Sequence, residues 1–156
     1  MIDLIEFIMI SQKAQYALRA IFELSKRYEQ NEWVKISDIA NAQAIPVRFL
    51  EVILNELRHG GFVESRRGID GGYKLLREPV TISVGDILRF LEPFDPVDCI
   101  VSRDGPKCKL YGKCVFLALW KKVHETLSKV YDETNFQNLV NEQKLQNNQD
   151  VICYYI

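Results

Sequence analysis

The spacing of apolar residues divides the first third of the chain into short elements. Over Gln12–Tyr28 they recur every three or four positions, which predicts an amphipathic helix. A polar break at 29–32 follows, and the segment 33–36 can pair as a short strand. A second helix is predicted over Asp38–Gln43, with Ser37 as its N-cap.

A longer helix and a β-hairpin come next. Pro46 suits the first position of the helix, where its missing N–H costs nothing, and Gly60 is expected to end it. The segments 62–65 and 73–76 alternate apolar and polar residues on either side of a glycine-rich turn, which is typical of a hairpin. A short helix, a tight turn, a longer helix and a hairpin together predict a helix-turn-helix with a wing.

The second half of the chain predicts a long loop between two helices. Ser83 is expected to cap a short helix over Val84–Leu91. The irregular stretch 93–113 is long for a compact domain, and such loops are usually functional or disordered. A long helix is then predicted over 115–133, with apolar residues spaced as on a helix that packs along a second helix. These apolar residues are Phe116, Trp120, Val123, Leu127 and Val130.

Composition and charge narrow the function classes. The chain has 156 residues, 47% hydrophobic and 26% charged, which is the balance of a globular protein with a core. Its net charge of −1 means that any nucleic-acid surface must be a local patch. The apolar opening Met1–Ile10 is about half the length of a membrane span and resembles no signal peptide. We therefore expect a cytoplasmic protein with no membrane contact, whose four cysteines are thiols or metal ligands.

The outward face of the second helix is the candidate DNA-reading surface. In a helix-turn-helix this helix lies in the major groove. Here the face opposite its apolar positions carries arginine, glutamate and asparagine, which pair with guanine, cytosine and adenine edges. Two adjacent arginines at the wing tip suit a narrow minor groove. A winged helix that binds protein is the alternative, since charged helix faces are common. The candidate DNA-binding residues are Arg48, Glu51, Asn55, Arg58, Arg66 and Arg67.

Three cysteines lie in or just after the irregular stretch. Cys99, Cys108 and Cys114 have the spacing C-x8-C-x5-C, without the close pair that zinc sites usually show. Three thiolates ahead of a helix suit an iron–sulfur cluster with one further ligand from elsewhere. The alternative is three cysteines with no shared ligand, and Cys153 is expected to be incidental. No catalytic triad or phosphate-binding loop is recognisable, so we do not expect an enzyme.

Several segments resemble the Rrf-two family of winged-helix transcriptional regulators. The resemblance covers about 9–141 and is specific, because a winged helix followed by three cysteines and an Ala-Leu-Trp helix is not a generic pattern. It implies a homodimer formed through the long helix and a palindromic operator in double-stranded DNA. It also implies a repressor whose binding is modulated by a 2Fe-2S or 4Fe-4S cluster. The segments that carry the resemblance are Ser11–Ala20, Phe49–Glu51, Leu57–Val63, Arg67–Tyr73 and Ala118–Trp120.

The resemblance also implies roles for single residues. Arg48 and Glu51 match base-reading positions, Arg67 matches a minor-groove arginine, and the three cysteines match cluster ligands. The first two cysteines are farther apart than in the family's best-known members, and Leu117 stands where one branch has a histidine ligand. A cluster-free repressor that responds to thiol oxidation or a small metabolite is the second reading. The candidates for the fourth cluster ligand are Asp98, Asp104, Gln15 of the partner subunit and a small thiol.

The predicted fold class is mainly α with a small β-hairpin wing, that is, a winged helix-turn-helix plus a long dimerisation helix. Because family members begin close to Met9, residues 1–8 are expected to be a misassigned start or a disordered extension; the alternative is a short apolar element at the dimer interface. Disorder is expected beyond Asn141. The expected units are a DNA-binding domain over 9–92, a sensor loop over 93–114, a dimerisation helix over 115–134 and a tail over 135–156.

Overall fold

The structure is a computed structural model that describes residues 10–92 and 109–153, with side chains described up to residue 147. The described residues form six α-helices, a short 3₁₀-helix and one hairpin. The helices are α1 Gln12–Lys26, α2 Ile36–Gln43, α3 Val47–His59, α4 Val84–Leu91, α5 Leu117–Glu133 and α6 Phe136–Cys153. The strands are β1 Val63–Arg66 and β2 Gly72–Leu75, and the 3₁₀-helix is Pro79–Thr81.

The second helix, α2, starts earlier than predicted. The amides of Asp38 and Ile39 both donate to the Lys35 carbonyl, so the first helical turn begins there. Ser37 therefore lies inside the helix, and its hydroxyl donates to the Asp38 carboxylate. The prediction that Ser37 is the N-cap is wrong, because the extended residue Lys35 already provides the carbonyl that opens the helix.

A tight turn connects α2 to α3. Ala44 ends α2 in left-handed backbone geometry, with φ 49° and ψ 49°. Pro46 is the N-cap of α3 rather than its first residue, since two amides of the first turn donate to its carbonyl. The helix ends at Gly60 as predicted, and Gly61 follows with a positive φ of 72°. The helix-turn-helix is thus formed by local backbone geometry at both ends of α3.

The described residues form one hydrophobic core, which packs under the helix-turn-helix. α1 contacts α2, α3, α4 and α6, and the apolar faces of these helices meet around it. Each fully buried leucine or phenylalanine contributes roughly 1.5–3 kcal/mol of transfer free energy. The predicted inward residues of α3 are all buried, namely Leu50, Ile53, Leu54 and Leu57.

The hairpin is held at its base by the segment before α2. β1 and β2 pair antiparallel, with Arg66 opposite Gly72. Val34 and Tyr73 exchange two backbone hydrogen bonds of 2.9 and 2.8 Å, which form a single bridge rather than a strand over 33–36. A β-carbon at Gly72 would collide with the Val34 carbonyl, so the close approach requires glycine. The position of the wing is therefore fixed relative to α2.

The last two helices complete the winged-helix architecture that the sequence predicts. α5 begins at Leu117, two residues later than expected, and none of its residues is buried. α6 is anchored by the buried side chains of Phe136 and Val140. It continues past Asn141, so the expectation of disorder there is wrong. Glutamate, glutamine, lysine and leucine are good helix formers, and they extend a helix that packing has already nucleated.

Candidate nucleic-acid interface

A groove of about 730 Å³ lies between α3, the start of α2 and the wing. Four of the six predicted DNA-binding side chains line it, two from the last turns of α3 and two from the wing. All four are exposed, as a surface that receives a ligand requires. The groove thus brings together Asn55, Arg58, Arg66 and Arg67.

The other two predicted residues lie at the opposite end of α3. Arg48 and Glu51 are exposed on its first two turns and do not line the groove. From Arg48 through Glu51 and Asn55 to Arg58 the successive steps are three, four and three residues, so the four side chains share the outward side of the helix. Six predicted side chains are consequently presented on two neighbouring parts of one surface.

Asn55 organises the end of α3. Its side-chain oxygen accepts a 2.8 Å hydrogen bond from the Arg58 guanidinium. Its backbone oxygen lies 2.7 Å from Nδ1 of His59. A carbonyl oxygen has two lone pairs, so the Asn55 side chain can accept a further bond from a ligand while it orients the arginine.

The indole of Trp33 supports the wing, a role that the sequence reading missed. The guanidinium carbon of Arg66 lies 5.9 Å from the ring centroid, and Nζ of Lys74 lies 4.7 Å from it. Lys74 also contacts Asn31 at 3.1 Å and Glu64 at 3.2 Å. Because Trp33 is more than 30 residues away from these cations in the chain, no local pattern could have revealed the contact.

The start of α2 adds two further polar side chains to the groove. Lys35 and Ser37 are exposed and line it. Among the residues that the structure describes, no side chain caps this helix end. Amide groups at a helix N-terminus attract anions such as phosphate, and a lysine beside them adds positive charge. No sequence signal indicated this role, because Ser37 and Asp38 are residue types that commonly cap a helix.

A buried carboxylate ties α1 to the end of α2. Glu23 is 1% exposed and accepts hydrogen bonds of 2.8 Å from Lys26 and 2.9 Å from the Gln43 amide. Arg19 donates to the Gln43 carbonyl. Burial alone raises the pKa of Glu23, but the bonds from Lys26 and Gln43 outweigh it and hold the pKa below its ordinary value. The charged network thereby fixes the residue that precedes the turn into α3.

Of the three predicted cluster cysteines, only Cys114 lies in the described part of the chain; Cys99 and Cys108 lie outside it. Cys114 is half-buried, and its carbonyl accepts a 3.1 Å hydrogen bond from the Leu117 amide at the start of α5. Within residues 10–92 and 109–153, no three histidine, cysteine or acidic side chains come together as a metal site. One of the three predicted ligands therefore lies three residues before the long helix.

The predicted dimerisation stripe remains largely uncovered. Phe116 is 57% exposed and Val130 is 55% exposed, whereas the three stripe residues between them are half-buried. Val115 and Leu119 extend the apolar surface at the N-terminal end of the helix. A single chain does not bury this face, which is unusual for an apolar stripe of such length.

The helices over residues 10–92 and 109–153 include none that is long and apolar enough to cross a bilayer.

Comparison with known proteins gives consistent matches along nearly the whole chain. The family model of Rrf2, described as an iron-dependent transcriptional regulator, matches residues 10–142. The regulator CymR of Bacillus subtilis is 30% identical over 148 residues, which are 94% of this chain and 99% of that protein. The regulator IscR of Klebsiella pneumoniae strain 342 is 30% identical over 143 residues, which are 92% of this chain and 82% of that protein.

Solved structures agree with this assignment. IscR of T. potens has a TM-score of 0.70 at 29% identity, covering 89% of this chain and 90% of that one. CymR, the global cysteine regulator of B. subtilis, has a TM-score of 0.70 at 30% identity, covering 86% and 97%. These relatives are transcriptional regulators with a winged helix, not enzymes. The chain belongs to the Rrf2 family of transcriptional regulators.

Proposed function

We propose that this regulator is a homodimeric repressor that binds a palindromic operator and whose operator affinity is modulated by an iron–sulfur cluster. The observation that carries the DNA-binding part is the groove in which Asn55 and Arg58 of α3 face Arg66 and Arg67 of the wing. A helix flanked by a cationic hairpin is suited to the major groove with the wing in the neighbouring minor groove.

The dimer is supported by the exposed face of α5. Five apolar residues at a, d spacing, with no buried residue on the helix, leave a surface that a second copy can cover. A twofold dimer presents two copies of α3, and two equivalent half-sites then give a palindrome. The stripe Phe116, Trp120, Val123, Leu127 and Val130 would form the interface.

The sensing part is supported by the cysteine spacing and by the position of Cys114. Its half-buried thiol directly before α5 suits one ligand of a cluster whose other ligands would be Cys99 and Cys108. When bound, such a cluster would supply an iron centre whose occupancy depends on the iron available and whose iron reacts with oxidants and nitric oxide. By binding the cluster, the three cysteines would hold the predicted sensor loop in one conformation.

Contacts at the end of α4 connect that loop to the DNA-binding unit. Glu92, the last described residue before the loop, accepts a 3.0 Å hydrogen bond from the backbone amide of Ser11. Ser11 in turn caps α1 through its hydroxyl, which accepts from the Ala14 amide at 3.1 Å. A change in the conformation of the predicted loop would therefore be transmitted through Glu92 and Ser11 to α1, against which α3 packs. Regulation requires that the two loop states bind DNA with different affinity.

A second function is favoured by the likeness to CymR. That relative is a cysteine regulator, and it is as similar to this chain as IscR is. The alternative is a cluster-free repressor in which the thiols of this chain respond to oxidation or in which the protein binds a small metabolite. Both functions use the same DNA-binding surface and differ only at the sensor loop.

The experiment is to purify the full chain without oxygen, record its absorption spectrum and count iron and sulfide per chain. The proposal predicts a coloured protein with both elements, and a Cys108→Ala variant without them. Cys153→Ala is the matched control and should retain the colour. A colourless protein that stays free of iron after reconstitution would overturn the cluster and favour the thiol or metabolite sensor. Salt-dependent DNA binding, measured on the same samples, tests the DNA-binding part separately.

A further inference from the structure

Two large apolar side chains are exposed on α3 among the candidate DNA-binding residues. Val52 is 57% exposed and Phe49 is 61% exposed. Val52 lies four residues after Arg48 and three before Asn55, so it shares their side of the helix. Because α3 buries four other apolar residues in the core, these two are not needed there.

The contact of Phe49 with α1 determines the orientation of its ring. Its ring lies tilted against Tyr16 of α1, with a centroid distance of 6.5 Å and an interplanar angle of 46°. The Arg19 guanidinium carbon lies 5.6 Å from the centre of the Tyr16 ring. Phe49 therefore keeps one side packed against α1 and presents the rest of its ring to the surface on which Val52 lies.

We propose that Val52 and Phe49 contact thymine methyl groups in the major groove and so select A·T pairs at defined operator positions. The inference rests on the proposed DNA-binding function. The C5-methyl of thymine is the apolar feature of the base edges in this groove, and aliphatic and aromatic side chains recognise it by contact. The neighbouring polar residues would read the flanking pairs.

A protein partner matches this surface less well. A stable protein interface covers about 800 Å² on each side and has an apolar centre with few charges. The apolar pair here is instead bordered on the same helix by Arg48, Glu51 and Asn55, all exposed. Two side chains set among base-reading groups fit the dimensions of methyl groups better than those of a folded partner.

The expected effect is confined to one methyl group. Replacing thymine by deoxyuridine removes the C5-methyl and leaves base pairing unchanged. Losing the burial of one such group should weaken binding about fourfold. The Val52→Ala variant should bind the thymine duplex more weakly by a similar factor and should no longer distinguish thymine from uracil at the contacted position.

The test uses the full-length protein and a duplex selected by it from a random-sequence library. Each thymine of that duplex is replaced singly by deoxyuridine, and dissociation constants are measured for the wild type, Val52→Ala and Phe49→Ala. Val80→Ala is the matched control, since Val80 is a valine of similar exposure, 53%, on the 3₁₀-helix. It should behave as the wild type does.

The outcomes separate the inference from the function on which it rests. If an enriched duplex binds equally well with thymine and with deoxyuridine, methyl recognition is overturned while DNA binding stands. The same conclusion follows if Val52→Ala and Phe49→Ala remain as sensitive to deoxyuridine as the wild type is. A selection without any enriched sequence overturns the proposed function itself. If either substitution changes the sedimentation of the protein without DNA, the pair belongs to an interface between copies and the inference is wrong.

Discussion

The ring of Phe90 lies directly against Gly60, so that a β-carbon at position 60 would stand 2.6 Å from the ring's Cζ. The same ring meets Phe62 edge-on, with centroids 5.3 Å apart. Phe90 belongs to α4, Gly60 ends α3 and Phe62 precedes β1. The helix α4, which precedes the predicted sensor loop, thus contacts the end of α3 and the root of the wing through one side chain.

This contact predicts a non-additive pair of substitutions. In the wild type, Gly60→Ala should fail to stabilise the protein, because the new methyl displaces the Phe90 ring. In a Phe90→Ala background the same change should stabilise by about 0.4–1 kcal/mol, since Gly60 has φ −76° and ψ −3°, which alanine can adopt without strain, and alanine reduces the entropy of the unfolded chain. Urea unfolding of the four proteins measures the coupling, and simple additivity would rule out the contact as an energetic link.

Glu23 predicts a loss of stability in acid. Its pKa is lowered in the folded protein relative to the ordinary 4.5, so its contribution is fully present above about pH 4.5 and is lost as the pH falls through the lowered value. Glu23→Gln should reduce the free energy of unfolding by about 1–2 kcal/mol at pH 7, because it removes charge-assisted hydrogen bonds. The difference from the wild type should shrink toward pH 3.

Urea unfolding at pH 7 and in the acid range checks this expectation for Glu23. The exposed Glu29→Gln serves as a control and should match the wild type at every pH. A Glu23→Gln variant with the wild-type pH profile would contradict the structural assignment of the network.

Arg67 predicts a loss of DNA affinity with a salt signature. Arg67→Ala should weaken binding to the selected duplex roughly tenfold and lower the slope of log affinity against log salt by about one. Arg67→Lys should restore much of the slope but less of the affinity, since lysine keeps the charge without the planar donors. Fluorescence anisotropy across a salt series measures both. Lys144→Ala on α6 should change neither, and an equal effect there would point to general charge alone.

A substitution at Leu127 tests whether the chain dimerises through α5. A glutamate in the middle of the α5 stripe would be buried unpaired in a dimer, so Leu127→Glu should raise the dimer dissociation constant at least about a hundredfold. The fold should survive, because α5 has no buried residue within one chain. Sedimentation velocity measures the mass. Lys121→Glu, on the opposite side of the helix, should remain dimeric, and a Leu127→Glu dimer would place the interface elsewhere.

The sequence predicts those features that depend on neighbours within one turn. Ser83 caps α4 as expected because its hydroxyl accepts from the Asp86 amide three residues ahead, and the Asp86 carboxylate accepts in return from Ser83. Gly60 ends α3 for an equally local reason. Helix starts were predicted less well where two signals compete, as at Lys35 and Ser37, because an extended backbone can open a helix without a side-chain cap.

Contacts between distant segments were beyond prediction. The residue types of Asn55 and Arg67 indicated DNA binding, but nothing in their spacing says that α3 and the wing line one groove. The hydrogen bond between Glu23 and Gln43 joins residues of two helices that are 20 positions apart in the chain. The helix also continues beyond Asn141, where we predicted disorder. A polar run can extend a helix when a packed turn precedes it, and the sequence alone does not show that packing.

The indole of Trp33 at the root of the wing provides an intrinsic fluorescence signal for the wing. The chain has two tryptophans, Trp33 beside the wing cations and Trp120 on the long helix. Replacing Trp120 by phenylalanine leaves one tryptophan, whose ring is in contact with the cations of Arg66 and Lys74. Any ligand that draws those cations away changes the polarity around that single fluorophore, so the docking of the wing can be timed by stopped flow without an attached dye.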